Sequence, residues 1–344
     1  MLKEISIENC AEWDSIVRSF PDYDVFYLSD YSKAFMREAP KNGTPILLLY
    51  ENGKDKAINV VLRRDVALDE NLSGKIKEGT YFDLITPYGY GGFWGSISDW
   101  NKLNQTYAEY CKKKCYICEF VRFELFADYY KHYDGEIETR THNVVRSLEM
   151  PLDEIWMDFK QKVRKNVKRA NSNGLQIIVE NTDEHIEEFL RIYYGTMDRT
   201  NADEAYYFSR QFYKNLSEMK DNVMYFYVIY QEQIISTELV IYGKNNCYSY
   251  LGGTDREYFE LRPNDFLKYE IIKWAKEKGL KNFVLGGGAG KDDGIFQYKR
   301  CFAPHGEYSF YIGRKIFDYN TYQYLVDLRT GEELHMDFFP LYRS

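Results

Sequence analysis

Histidine and cysteine are scarce in this chain, at 5 and 6 of its 344 residues. With so few imidazoles, scattered along the sequence, no zinc or iron site is expected and no metal ligand is assigned. Six cysteines over this length do not form a disulfide framework, so reduced thiols are expected. Cys111, Cys115 and Cys118 have the spacing of an iron–sulfur triplet. Such a site needs thiolates converging from one irregular loop, whereas these straddle the end of an expected helix and the start of an expected strand, so the spacing is read as chance. No stretch reaches the roughly 18 uninterrupted apolar residues of a membrane span. The opening "MLKEISIENCAEW" lacks the apolar segment of a secretion signal. Excess positive charge is missing too: a net charge of −8 argues against a protein that coats nucleic acid over its whole surface. A soluble, cytoplasmic protein is expected.

Aromatic residues are abundant, at 17% with 33 tyrosines, which suggests clefts lined by flat, hydrogen-bonding side chains. The length makes two domains the default expectation. In the second half, Val223 to Tyr230, Ile234 to Gly243 and Cys247 to Gly253 are β-rich runs joined by short polar turns, an antiparallel meander. A helix is expected from about Asp265 to Lys278, with Leu267, Ile271, Trp274 and Ala275 on one buried face, Asn264 as N-cap and Gly279 as stop. "KNFVLGG" then returns as a strand. The first half repeats this order: Pro45 to Tyr50 and Ala57 to Val66 joined through Asn52-Gly53, then Thr80 to Thr86, a helix over Asp99 to Lys114, and a strand over Cys118 to Phe126. Helices precede the strands in each half, among them Ser29 to Ala39, Asp153 to Ala170, Asp183 to Thr200 and Tyr206 to Lys220. The fold class expected is α/β with mixed (α+β) sheets, in two domains, 1–150 and 151–344, the C-terminal tail packing back on the first. The boundary falls near Met150-Pro151.

One stretch, "FVLGGGAGKDDGIFQYKRCFAP", invites reading as a phosphate loop. The Walker spacing fails, because Gly290-Lys291 is followed by Asp292 and Leu285 stands where the first glycine belongs. The dinucleotide fingerprint fails at Lys291. These glycines need another explanation.

Three strands, helix, strand is the core order of the GNAT acyltransferase fold, and here it occurs twice. The chain resembles the FemABX-like branch of that superfamily, including its acetyltransferase 6 group. The residues carrying the resemblance are "FDLITPYGYGG" (Phe82 to Gly92), "FKQKVRKNVKRANSNG" (Phe159 to Gly174), "YYGTMDRTNADEAYYF" (Tyr193 to Phe208), "LGGT" (Leu251 to Thr254), Leu261 to Gly288, and "DGIFQYKRCF" (Asp293 to Phe302). The resemblance implies an acyl- or aminoacyltransferase that forms an amide on an amino group of a cell-wall precursor or a nucleotide- or lipid-linked sugar. Two alternatives stay open: an acetyl-CoA-dependent N-acetyltransferase, and a non-catalytic GNAT-fold binding module. No tightly bound cofactor is expected, and the donor would be aminoacyl-tRNA or acyl-CoA. The partners would be tRNA and a small or nucleotide-linked amine acceptor.

It also implies that each half's sheet parts at one edge, and that the later parting is a notch where an amine attacks an activated carbonyl. Gly252, Gly253, Gly286, Gly287 and Gly288 would flank that notch, either to let a ligand approach bare backbone N–H groups or as turns required by geometry alone. GNAT enzymes hold a pyrophosphate on the helix that here opens at Asn264-Asp265. The preceding "TDREYFELRPN" lacks the family's glycine-rich signature, although Arg262 and Arg256 supply charge. Lys160, Lys162, Arg164, Lys165, Lys168 and Arg169 cluster on one helix, either as a ligand surface (Arg164 and Lys168 chosen) or as a solvated face. Lys299, beside Tyr298 and Arg300, and Arg199 with Asn201 are further binding candidates; the bland readings are surface charge and a helix C-cap. Tyr88 and Tyr90 in "TPYGYGG" are assigned to acceptor binding. Glu238 is the candidate base and Tyr250 the candidate acid, each with packing as the alternative role.

Overall fold

The computed structural model describes residues 1–38, 43–288, 290 and 293–344, so Lys291, Asp292 and the end of the helix expected to reach Ala39 lie outside the described residues. The chain forms two compact units, 1–140 with 310–344, and 141–309. It leaves the first unit within a strand at Glu136–Ser147 and returns within another at Glu307–Ile316.

In the first unit the strands are β1 (Leu2–Ser6), β2 (Thr44–Asn52), β3 (Asp55–Asp65), β4 (Phe82–Ile85), the short β5 (Trp94–Ser96) and β6 (Tyr116–Arg122). With β7 (Glu136–Ser147) and β13 (Glu307–Ile316) as the crossing strands, the first unit's order is β1-β2-β3-β4-β6-β13, and β5 pairs with β3. Helices α1 (Cys10–Arg18), α2 (Ser29–Glu38) and α3 (Trp100–Lys113) accompany it. Alternating Ile46, Leu48 and Tyr50 on β2 meet Ala57 and Val61 of β3 and Leu103 and Tyr107 of α3 in one core. The β2–β3 hairpin pairs Asn52 with Asp55, so Gly53 (φ +63°) and Lys54 form the two-residue loop. Asp99 caps α3 by accepting from the Lys102 N–H at 2.9 Å. Cys111 packs in that core, Cys118 in a separate cluster with Val66 and Tyr342, and Cys115 is exposed, so the three thiols do not converge. Burial pushes the Cys111 and Cys118 thiols up, away from thiolate chemistry.

The second unit contains β8 (Gln176–Glu180), β9 (Val223–Tyr230), β10 (Gln233–Tyr242), β11 (Asn246–Thr254) and β12 (Asn282–Gly286), in the order β7-β12-β11-β10-β9-β8. Its helices are α4 (Leu152–Asp158), α5 (Gln161–Ser172), α6 (Ile186–Thr200), α7 (Arg210–Ser217), α8 (Pro263–Glu277) and α9 (Gly294–Arg300). The two strand orders match position for position. Each unit has one parallel pair, β4 with β6 and β11 with β12, joined through α3 or α8. The edge strands β1 and β8 and the crossing strands β7 and β13 extend the pattern read from sequence.

The helix expected over Asp153 to Ala170 is two helices. At Phe159 the backbone turns extended (φ −58°, ψ 145°), and the Lys160 N–H donates to the Cys301 carbonyl at 2.9 Å instead of continuing the helix. Arg164 closes the break by donating to the Met157 carbonyl at 2.7 Å and to the Phe159 carbonyl. Phe159, Val163, Val167 and Ala170 are nonetheless all buried, as their spacing requires. Asn264 is not the N-cap of α8: Arg262 holds that position at φ +62°, with Pro263 as first helical residue. Gly279, at φ +77°, terminates α8 as expected.

The C-terminal segment belongs to the first unit. After α10 (Tyr319–Asp327) it delivers Arg343 to the fully buried Asp83, whose other oxygen accepts from Arg64 at 2.6 Å. Tyr342 donates to the same carboxylate at 2.9 Å. Burial alone would raise the Asp83 pKa, but Arg64 and Arg343 hold it below the usual range. A depressed carboxyl contributes stability above its unfolded pKa, and this is lost as pH falls through the lower folded value. Asp83→Asn takes the carboxylate away from two partly buried guanidinium groups, of which Arg343 keeps Asp69 at 2.8 Å and Arg64 loses its partner. It is expected to cost about 3 kcal/mol in urea unfolding at neutral pH, with a smaller difference from wild type in strong acid.

Candidate functional site

Strands β11 and β12 pair only over Asn246–Asn282, Cys247–Phe283 and Tyr248–Val284. Beyond that they part, as the sequence reading requires of the second half. Two local features drive the parting. On β11, Ser249 and Leu251 oppose the adjacent Val240 and Leu239, leaving Tyr250 as the extra residue of a β-bulge. On β12, the register shifts before Gly286, which pairs with Val144 of β7 at φ +81°, a conformation open chiefly to glycine.

The first unit does not part in this way. The β4–β6 ladder runs on through the Thr86 N–H to the Phe120 carbonyl at 3.0 Å and Gly91 N–H to Arg122 carbonyl at 2.7 Å. Gly91 bridges Phe123, and the Glu124 N–H returns to the Gly91 carbonyl at 2.9 Å. The glycine-rich "TPYGYGG" folds back and closes the gap that the resemblance implied.

At the second unit's opening, α9 supplies Lys299, whose ammonium donates to the Gly287 carbonyl at 2.6 Å. Burial, with the nearby Lys268 cation, pulls the Lys299 pKa down to about 8, and Glu238 and Asp293 only partly offset this. Lys268 of α8 donates to both oxygens of Glu238, at 2.5 Å to Oε1, and to Ser249 Oγ at 2.7 Å. Both ion-pair partners are buried. The neighbouring Tyr298 hydroxyl has no solvent exposure and no hydrogen-bond partner among the described residues. Burial, then the Asp265 and Glu238 carboxylates, push its pKa up, so it remains a neutral donor.

The predicted residues divide accordingly. Gly286, Gly287, Lys299, Glu238 and the bulged, half-buried Tyr250 come together around this opening. Glu238 does so with its carboxylate engaged by an ammonium, which suits a positioning role better than that of a free base. Gly253 is required by packing, since a Cβ there would lie 2.4 Å from Thr196 Oγ1 of α6. Gly252 lies against the Thr237 carbonyl of β10, and Gly288 against the Asp293 carboxylate that caps α9. Arg164 is spent on the α4–α5 break, while Lys162, Lys165 and Lys168 are exposed along α5. Arg262 pairs loosely with Glu260 at 3.7 Å, and its Nε is buried without a partner among the described residues. Asn264 sits in the first turn of α8, beside the buried Asp265 that accepts from Asn166 of α5 at 3.2 Å. Asn201 is the left-handed C-cap of α6, and the Arg199 guanidinium stacks 5.1 Å from the Phe259 ring.

Tyr88 and Tyr90 belong to the first unit. Tyr31 donates to the Tyr88 carbonyl at 2.6 Å, and the Tyr90 ring meets Phe26 and Phe310 edge-on. Sequence reasoning missed their neighbour Glu124. It is 2% exposed, accepts from the Phe126 N–H at 2.5 Å, and leaves Oε1 buried without a partner among the described residues. Burial, then the fully buried Asp24 carboxylate, push the Glu124 pKa up. The same two carboxylates add to the burial that raises Tyr27 and Tyr90. Two buried acids with unlike surroundings are an arrangement suited to proton handling. The signal was one acid inside the apolar run "FVRFELF".

Residues 157–300 match the profile of the acetyltransferase (GNAT) domain. Over 102 residues, 27% of this chain and 23% of the relative, the sequence is 28% identical to a lipid II:glycine glycyltransferase of Staphylococcus haemolyticus. Over 55% of this chain and 57% of the relative, it is 24% identical to a UDP-N-acetylmuramoylpentapeptide-lysine N(6)-alanyltransferase of Weissella viridescens. The matched stretches thus span 23% and 57% of these relatives' length. In fold, the chain is similar to the crystal structure of FemX, with a TM-score of 0.69 at 14% identity, covering 94% of this chain and 99% of that one. It is also similar to L-PGS from Bacillus licheniformis, with a TM-score of 0.55 at 12% identity, covering 95% and 98%. Residues 157–300 thus carry the profile of an acetyltransferase (GNAT) domain, and the chain as a whole is similar in fold to FemX.

Proposed function

We infer that this protein transfers an aminoacyl group from aminoacyl-tRNA to an amino group of a peptidoglycan precursor, forming an amide. The observation carrying this reading is the parted end of β11 and β12 with the Lys299 ammonium held at Gly287. An amine attacking the donor ester forms the C–N bond, pushes negative charge onto the carbonyl oxygen, and then expels the ribose hydroxyl. The proton lost by the amine ends on that hydroxyl. A cation in a site of low water content stabilises the intermediate oxyanion far more than it would in bulk water. Holding Lys299 through a backbone carbonyl fixes where that charge sits. The buried Glu238–Lys268–Ser249 set keeps the strands rigid on one side of the opening.

The activities of the relatives, glycyl transfer to lipid II and alanyl transfer to the lysine N6 of a UDP-muramoyl pentapeptide, support a cell-wall amine as acceptor. The donor is argued from α8. A coenzyme A pyrophosphate on its N-terminus would meet the buried Asp265 carboxylate in the first turn, with Asn166 of α5 already bonded to it. The exposed lysines of α5 instead offer positive charge suited to an RNA backbone. Among the described residues no helix is long and apolar enough to cross a membrane.

Purified protein supplied with charged tRNA and a muramoyl pentapeptide is expected to incorporate labelled amino acid, and to bind coenzyme A no better than millimolar. Incorporation from acyl-CoA alone, or micromolar coenzyme A binding, contradicts the donor assignment. Lys299→Met is expected to lower kcat by about 10²- to 10³-fold, beyond a loss of about 1–3 kcal/mol in stability from the Gly287 carbonyl that loses its donor. Because the cationic form is the one required, the wild-type rate should fall as pH rises through about 8, and the variant should lack that limb.

A further inference from the structure

We propose that the first unit carries a saccharide-binding cleft of its own. A cavity of about 750 Å³ is lined by residues of that unit, with aromatic walls from Phe20, Trp94, Trp100, Phe126, Tyr129 and His132. This volume is within the ~300–1,000 Å³ range of small-molecule sites. The walls are built in. Tyr129, Trp100 and His132 form a continuous stack, with centroids 5.6 and 4.8 Å apart, and His132 at its end is exposed. Opposite, β5 lies close against β3, because Gly95 leaves room where a Cβ would strike the Lys56 carbonyl at 2.2 Å. Strand alternation then turns Trp94 and Ser96 to the same face, and both line the cavity.

Polar groups interleave with these rings: Asp22, Asp128, Lys56, Ser19 and Ser96. Lys56 stands 5.5 Å over the Phe20 ring, with Glu51 at 3.7 Å, and Asp128 accepts from Lys131 at 2.6 Å. Two carboxylates against one ammonium give no net positive charge, which disfavours a phosphate or nucleotide. A lining this polar is unsuited to an acyl chain. A pyranose fits both characters. Its C–H face lies on the electron-rich face of an aromatic ring, and its rim of hydroxyls donates to carboxylates and to the Ser19 oxygen and accepts from the ammonium and the Ser96 hydroxyl. Nothing in this assignment uses the β11–β12 opening, so it stands or falls independently of the transferase reading.

Titration calorimetry on the full chain tests it, with linear trisaccharides of N-acetylglucosamine and of glucose as probes and uridine monophosphate as the control. Saturable binding of at least one trisaccharide is expected, weakened roughly tenfold or more, about 1.4 kcal/mol, by Trp94→Ala. Ser96→Phe fills the cleft from an exposed position without removing a core contact; it should weaken binding as much and leave the melting temperature unchanged. No saccharide heat, binding of the nucleotide in preference to either sugar, or equal saccharide affinity in wild type and Ser96→Phe would each overturn the proposal.

Discussion

Backbone groups released where two strands part must find other partners, because buried and unpaired they cost about 1–3 kcal/mol each. In the second unit the Gly287 carbonyl finds Lys299, and that single hydrogen bond fixes a cation at the opening. The opening in turn depends on two backbone irregularities, the bulge at Tyr250 and the positive φ of Gly286. A straight β11 and a non-glycine at Gly286 would let the ladder continue past Tyr248 and Val284, leaving Lys299 without its acceptor. The buried Glu238–Lys268 pair belongs to the same economy of charge. It keeps one carboxylate and one ammonium matched, while the second ammonium, Lys299, stays easier to deprotonate than an ordinary lysine.

The two units show how one strand order supports two outcomes. In the first, the chain after β4 folds back through "TPYGYGG" and the ladder continues to Phe123 and Glu124. What this unit gains is a buried acidic pair, Asp24 and Glu124, among the hydroxyls of Tyr27 and Tyr90, together with the aromatic cleft beside β5. Its stability leans on a different device, the Asp83 carboxylate clamped between Arg64 and the C-terminal Arg343.

Most of the repeated core was readable in the residues. The β9–β11 meander announces itself through Val, Ile and Tyr runs between polar turns, and α8 through its buried stripe of Leu267, Ile271 and Ala275. The edge strands β1 and β8 are five residues each with mixed exposure, too short for alternation to speak. β7 begins as the polar "EIETRTHN" and is recognisable only by what it pairs with. The break at Phe159 is tertiary in origin, since the Cys301 carbonyl that captures Lys160 lies far along the chain. The site shows the same limit. Glycines could be counted, but only packing distinguishes Gly253, pressed against α6, from Gly286, which bends the strand. Lys299 is a binding candidate from sequence, with surface charge as its alternative, and only its Gly287 acceptor places it at the opening; Glu124 is one acid in an apolar run.

The central claim is that the acyl carbonyl is received between the separated ends of β11 and β12. Hydrogen–deuterium exchange with and without a non-hydrolysable aminoacyl-nucleotide analogue tests this most directly. Slowed exchange confined to the amides of 249–254 and 285–288 is the predicted result. Unchanged exchange there, with protection by the analogue appearing elsewhere in the chain, would contradict it.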